Sequence, residues 1–184
     1  MKTNRVTIKK KRNTSSMKSP IYFLFFITSF LVCQTSFAQE NFEKTKIVTN
    51  VFKALKKQKV KIFLKSLPTK DDITYLIPVE RAAQPDKDIP DVDLIISNFK
   101  RDASENFRKV IKKGNAFGVD WKDIILQKVS YDDNPDPDPD IQMERGNITL
   151  VCESNDKKFL IVIRKTYKIR DTWRLMDRIK FTLL

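Results

Sequence analysis

KFLIVIRKTYKIRDTWRLMDRIKFTL, residues 158–183, alternates apolar and polar side chains with a period of two, the pattern of half-buried β-strands. Phe159, Ile161, Ile163, Tyr167 and Ile169 fall on one face of a first strand, and Trp173, Leu175, Ile179, Phe181 and Leu183 on one face of a second. Every one of these positions is odd-numbered. Register is strongly specified here, because a one-residue slip sends every apolar side chain to the wrong face. A three-residue loop, Arg170-Asp171-Thr172, joins the strands in phase and pairs Ile169 with Trp173, Tyr167 with Leu175, Ile163 with Ile179 and Ile161 with Phe181.

Upstream, residues 141–153 read as another strand, with Ile148, Leu150 and Cys152 facing inward at even positions. The change of parity calls for a loop with an even count, and Asn155-Asp156 suits a two-residue hairpin turn. That turn pairs Cys152 with Phe159, Leu150 with Ile161 and Glu153 with Lys158. A further strand at Ile124–Tyr131 precedes a polar loop, Asp132 to Asp140, rich in Asp-Pro.

The amino-terminal half has the helical period instead. Ile47, Val48, Val51, Phe52 and Leu55 line one face of a helix starting near Phe42, and a short second run holds Val60, Phe63, Leu64 and Leu67 before Pro68. Thr69 and Asp72 have the spacing of a capping box and open a third helix, which Pro78 is expected to end. After the linker QPDKDIPD at 84–91, Asp91 caps a long helix carrying Val92, Ile95, Ile96, Phe99, Ala103, Phe107, Val110 and Ile111. Lys112-Lys113-Gly114 reads as its carboxyl end. The expected class is α+β, with helices packed on a curved antiparallel sheet.

This order of elements, closing on Asp171-Thr172-Trp173-Arg174-Leu175-Met176-Asp177-Arg178-Ile179, resembles the NTF2-like, or cone-shaped α+β, superfamily and is similar to small exported bacterial proteins of unknown function. A cystatin-like fold is the alternative. The resemblance implies a sheet wrapped around helices to leave a cone-shaped cavity, used in some relatives for catalysis and in many for ligand binding or dimerisation. Enzymatic relatives place a histidine or carboxylate in that cavity. This chain has no histidine, and Asp177 matches none of their motifs, so no catalytic residue is carried over.

Residues 17–40, MKSPIYFLFFITSFLVCQTSFAQE, read as a Sec signal peptide. Lys18 supplies the positive charge, Ile21 to Val32 the apolar stretch, and Ser36-Phe37-Ala38 the cleavage site, so the mature chain is expected to start at Gln39. Residues 1–16 read as an extended basic n-region or a misassigned start upstream of Met17. The apolar run is shorter than the roughly 20 residues a membrane helix needs, and no later segment is apolar enough to span. A periplasmic or secreted protein follows, with a lipoprotein anchored at Cys33 as the alternative. Residues 39–184 form the expected single domain.

Charge narrows the function. The formal net charge is +13, but seven of the 36 Lys and Arg and none of the 23 acids fall within residues 1–38. The 29 cations and 23 acids that remain make a mildly basic domain, which lacks a nucleic-acid signature. With Cys33 removed, Cys152 is the one cysteine left, and its strand position reads as an inert core thiol. Asp136, Asp138 and Asp140 have the first spacings of a calcium loop, but Ile141 stands where its glycine belongs and Asn147 where its bidentate glutamate belongs. No metal or cofactor is expected.

Two candidate sites remain. The cavity of the implied cone would be lined by Phe107, Trp121, Tyr131, Tyr167, Trp173 and Leu175, holding a small apolar ligand or closing into filled core. At its mouth the register sets Lys165 opposite Asp177, either a rim ion pair or a polar anchor. On the other sheet face Arg164 falls across from Arg178 and Lys168 across from Arg174, with Arg145 and Lys180 nearby. Like charges directly opposite are destabilising, so either these side chains splay into water or an acidic counterpart neutralises them: the chain's own Asp-Pro loop, an envelope protein or second copy of the chain, or an anionic envelope polymer. A non-catalytic binding module is the leading reading. An interaction module acting through the basic face is the second, and an isomerase-like or hydrolase-like enzyme using Asp177 a minor third.

Overall fold

The computed structural model describes residues 41–86, 88–134 and 143–184. The expected leader at 1–38, including Cys33, the cleavage point before Gln39 and the Asp-Pro repeat at 135–140 lie outside the described residues.

A 3-10 turn at Phe42–Lys44 leads into helix α1 (Lys46–Lys57). Ile47, Val48, Val51, Ala54 and Leu55 form its buried stripe, at the spacing that puts them on one face. The helix ends where Gln58 turns left-handed at φ 51° and returns its N–H to Ala54 and Leu55. Helix α2 is a single turn (Val60–Phe63) continued by a 3-10 turn at Leu64–Ser66. Helix α3 (Lys70–Ala83) opens on the expected capping box: Thr69 Oγ1 accepts from the Asp72 N–H at 3.2 Å, and Asp72 Oδ2 accepts from the Thr69 N–H at 2.8 Å. Helix α4 (Val92–Ala116) is capped by Asp91, whose Oδ1 accepts from the Asp93 N–H at 2.8 Å.

Two helix ends differ from expectation. Pro78 sits inside α3 without ending it. Proline removes the hydrogen bond to the carbonyl four residues back, here Thr74, and both residues are on the exposed side where water can take that carbonyl. Gly114 is likewise inside α4, which runs on to Ala116. The terminal glycine is Gly118, at φ 75°, whose N–H bonds Asn115 O at 2.9 Å. Gly114 serves a different purpose: it is buried against the six-membered ring of the Trp121 indole.

The sheet contains β1 (Ile125–Asp133), β2 (Arg145–Ser154), β3 (Lys157–Ile169), β4 (Thr172–Leu175) and β5 (Ile179–Leu183), all antiparallel. The order is β1-β2-β3, with β4 and β5 end to end along the far side of β3. Cys152 pairs with Phe159, Leu150 with Ile161 and Glu153 with Lys158, as the parity predicts. Asn155 and Asp156 make the two-residue turn at φ 50° and 59°, the positive values that a turn matched to strand twist requires.

The last hairpin departs from the predicted register over half its length. Ile163 pairs with Ile179 and Ile161 with Phe181, as expected, but Lys168 pairs with Trp173, Tyr167 with Arg174 and Thr166 with Leu175. The turn holds two residues, Arg170 and Asp171, both at positive φ, in place of three. The slip is absorbed at Lys165, a bulge at φ 50° whose N–H turns to Asn147 Oδ1 at 3.1 Å while its carbonyl accepts from the Met176 N–H at 2.9 Å. One extra residue in β3 lets a twist-compatible turn coexist with the correct pairing below it. The single strand expected at 173–183 therefore breaks into β4 and β5 at Met176–Arg178.

That bulge turns Thr166 onto the helix-covered face, where Trp173 and Leu175 lie as expected, and sends Tyr167 and Ile169 to the other face with Arg174. Ile169 is nevertheless fully buried. Helix α3 is tied to this end of the sheet through Asp72, 2.9 Å from Arg174 Nε, and through Tyr75, whose ring lies 4.6 Å beneath the Arg170 guanidinium. Below the bulge, Ile148, Leu150, Cys152, Phe159, Ile161, Ile163, Ile179 and Phe181 face the main core with the buried stripe of α1.

Candidate functional site

The residues expected to line a cone cavity are distributed through the packing. Phe107 stacks on Phe63 at 5.0 Å, and Trp121 packs edge-on against Phe159 at 5.8 Å and Phe181 at 6.2 Å. Trp173 meets Phe42 and Tyr131, and Tyr131 lies parallel to Phe42 at 4.6 Å. Phe107, Trp121, Trp173 and Leu175 are at most 4% exposed and belong to one hydrophobic cluster, so at these positions the filled-core alternative describes the molecule. Tyr167 stands apart on the opposite face, where its hydroxyl accepts from Arg145 Nη1 at 3.2 Å.

Lys165 and Asp177 are not brought opposite each other. Lys165 is exposed on its bulge, and Asp177 is half-buried beside its neighbour, with Oδ1 3.4 Å from Arg178 Nε. A single register does not run the length of β3, because the strand contains an extra residue at Lys165.

The basic face divides in two. Lys168 pairs with Glu144 at 3.0 Å and lies across from Trp173, which corrects the expected Lys168–Arg174 opposition. Arg174 is drawn to Asp72, and Arg145 donates from Nε to Asn134 O at 2.7 Å. These three cations are used within the fold. Arg164 and Arg178 are cross-strand neighbours as expected, joined by an N–H···O bond of 2.9 Å, and Lys180 follows along β5.

An apolar cleft of about 300 Å³ opens elsewhere, between α3 and the first half of α4. Ile73, Leu76 and Ile77 form one wall and Ile95 and Phe99 the other; Ile89-Pro90 from the connecting loop and Met176 from the β4–β5 break close the ends, and Glu80 stands at the rim. The continuation of α3 past Pro78 is what carries Glu80 to this position. The sequence places Ile95 and Phe99 on a helix but does not mark a cleft, since a stripe at helical spacing is the same whether a neighbour covers it or not. The available signal was Ile89-Pro90, an apolar step in an otherwise polar linker.

Cys152 is fully buried, and burial pushes its thiol up to about 12 from the ordinary 9.0. The native state thus holds the proton more tightly than the unfolded chain. Its contribution to stability is complete below pH 9 and is lost as pH rises from there through 12. Iodoacetamide at pH 8 is expected to leave Cys152 unmodified in native protein and to alkylate it fully in denaturant, read by peptide mapping. Rapid native alkylation would show that the β2–β3 core opens locally.

Among the described residues no group of three or more His, Cys, Asp or Glu side chains converges as a metal site, and no helix is long and apolar enough to cross a membrane. No protein family, curated protein or solved structure matches the chain.

Proposed function

We propose that this chain is an exported, non-catalytic binding module of NTF2-like build, and that its ligand is a small apolar molecule held in the cleft between α3 and α4. The cleft itself carries the reading. Its volume is at the lower end of the roughly 300–1,000 Å³ typical of small-molecule sites, and both of its helical walls are aliphatic or aromatic. What supports the NTF2-like assignment is the order of elements, helices first and then an antiparallel sheet that closes on the tryptophan-bearing strand. Export rests on the leader pattern of residues 17–40.

The test is titration with N-phenyl-1-naphthylamine, a neutral fluorophore that brightens in apolar surroundings. Saturable binding is expected, weakened at least tenfold by Ile95→Asp, which places a carboxylate in the wall. Leu94→Asp, one residue away on an exposed position outside the lining, is expected to bind as the parent does. Thermal melts of both variants separate loss of binding from loss of fold. Absence of saturable uptake, or equal affinity in the Ile95 variant, would sink the proposal.

A further inference from the structure

Cations other than Arg145, Lys168 and Arg174 converge on a second groove, of about 390 Å³, where α4 runs alongside β5. Lys109 and Lys113, one turn apart on α4, face Arg164, Arg178 and Lys180 from the strands. The lining holds these five cations and no acid. Asp177, just outside it, offsets part of the Arg178 charge at 3.4 Å. Among the described residues Lys109, Arg164 and Lys180 have no ion-pair partner.

The two walls are tied together by side-chain hydrogen bonds between α4 and β5. Asn106 clamps the outer edge of β5 by accepting from the Ile179 N–H at 2.8 Å and donating to the Ile179 carbonyl at 3.0 Å. About two turns further along α4, Lys113 Nζ donates to Phe181 O at 3.3 Å and lies 5.8 Å from the centre of the Phe181 ring. The floor is Val110, Ile179 and Phe181, all buried, so the charges stand over an apolar base that weakens solvent screening. Arg164 and Arg178, neighbours joined by a backbone hydrogen bond, repel each other, and an anion between them relieves that repulsion.

We infer that this groove binds a phosphate group, and that the ligand is a phosphate-bearing molecule. A single carboxylate would leave most of the positive charge uncompensated. A phosphate carries close to two charges and three strong acceptor oxygens, which match guanidinium forks and lysine ammonium groups together. The inference stands apart from the apolar cleft, which shares none of these residues.

The test is calorimetric titration of the full chain with inorganic pyrophosphate, in parallel with sedimentation against phosphatidylglycerol vesicles. Binding in either arm, weakening as salt rises, is expected. The pyrophosphate arm alone assigns a soluble phosphate ligand, and the vesicle arm alone assigns a lipid headgroup. Arg164→Glu combined with Lys180→Glu is expected to lower affinity at least tenfold, while Lys122→Glu, exposed and outside the groove, is expected to leave it unchanged. Binding in neither arm, an undiminished affinity in the double variant, or equal affinity for poly-glutamate would overturn the inference. Unaltered melting of the double variant establishes that any loss belongs to the groove.

Discussion

Trp121→Ala is expected to cost about 4 kcal/mol of stability, the range for emptying a buried aromatic site. Gly114→Ala, a far smaller change, is expected to cost about 2 kcal/mol by overpacking. In an open helix the second substitution would instead stabilise, because alanine is the better helix former by about 1 kcal/mol. The sign is reversed by geometry: a Cβ at Gly114 would fall on Cζ2 of Trp121 and lie 2.8 Å from Cε2. The indole cannot retreat, since it is 1% exposed, edge-packed on Phe159 and Phe181, and donates from Nε1 to Ile111 O at 3.2 Å. Urea unfolding of Gly114→Ala in a Trp121→Phe background should recover part of the loss, as expected of two residues sharing one space. A stabilised Gly114→Ala single variant would refute the close approach.

Asp72→Ala is expected to cost about 3–5 kcal/mol, the range for breaking a buried ion pair by removing one partner. Its carboxylate, 6% exposed, receives the Thr69 N–H and the Thr69 hydroxyl at 2.7 Å, and lies 2.9 Å from Arg174 Nε as an ion pair. The substitution removes half of the capping box of α3 and leaves the Arg174 side chain, 20% exposed, without this counter-ion. Arg174→Met should cost less, because Thr69 still donates to the carboxylate. Asp72→Leu with Arg174→Met should regain most of the difference, since exchanging a buried pair for apolar groups is often neutral or favourable. By contrast, the equally short Lys70–Asp93 pair is exposed on both sides and adds little. Denaturant midpoints would expose the error if Asp72→Ala cost no more than a lost cap, about 1 kcal/mol.

Much of the fold was readable because its rules are local. The Thr69–Asp72 box, the Asp91 cap, the buried stripe of α1 and the Asn155-Asp156 turn each follow from a few neighbouring residues. The β2–β3 register followed from parity, which has one solution when a face is buried. Lys165 was not readable. No residue type marks it as a bulge, and its cause lies in the twist preferred by the Arg170-Asp171 turn five residues away. The candidate sites were less legible still. Trp121 and Trp173 proved to be packing residues, while the apolar cleft was hidden among helix stripes. The basic face was sorted by partners distant in sequence: Asp72 takes Arg174, Glu144 takes Lys168, and Lys109 and Lys113 join Arg164 and Lys180 across the β5 edge.

Asn106 has a topological consequence. By occupying both the N–H and the carbonyl of Ile179, its amide stands in for the peptide group of a neighbouring strand. The sheet is thereby closed to strand addition along β5, and β4 beside it offers only four residues. Nine-residue β1 is the long boundary strand that remains among the described residues. A sheet that can grow on one side only cannot propagate: if two copies join through β1, each consumes the other's growing end, and the assembly stops at a pair where a sheet with two free sides would run on into a filament.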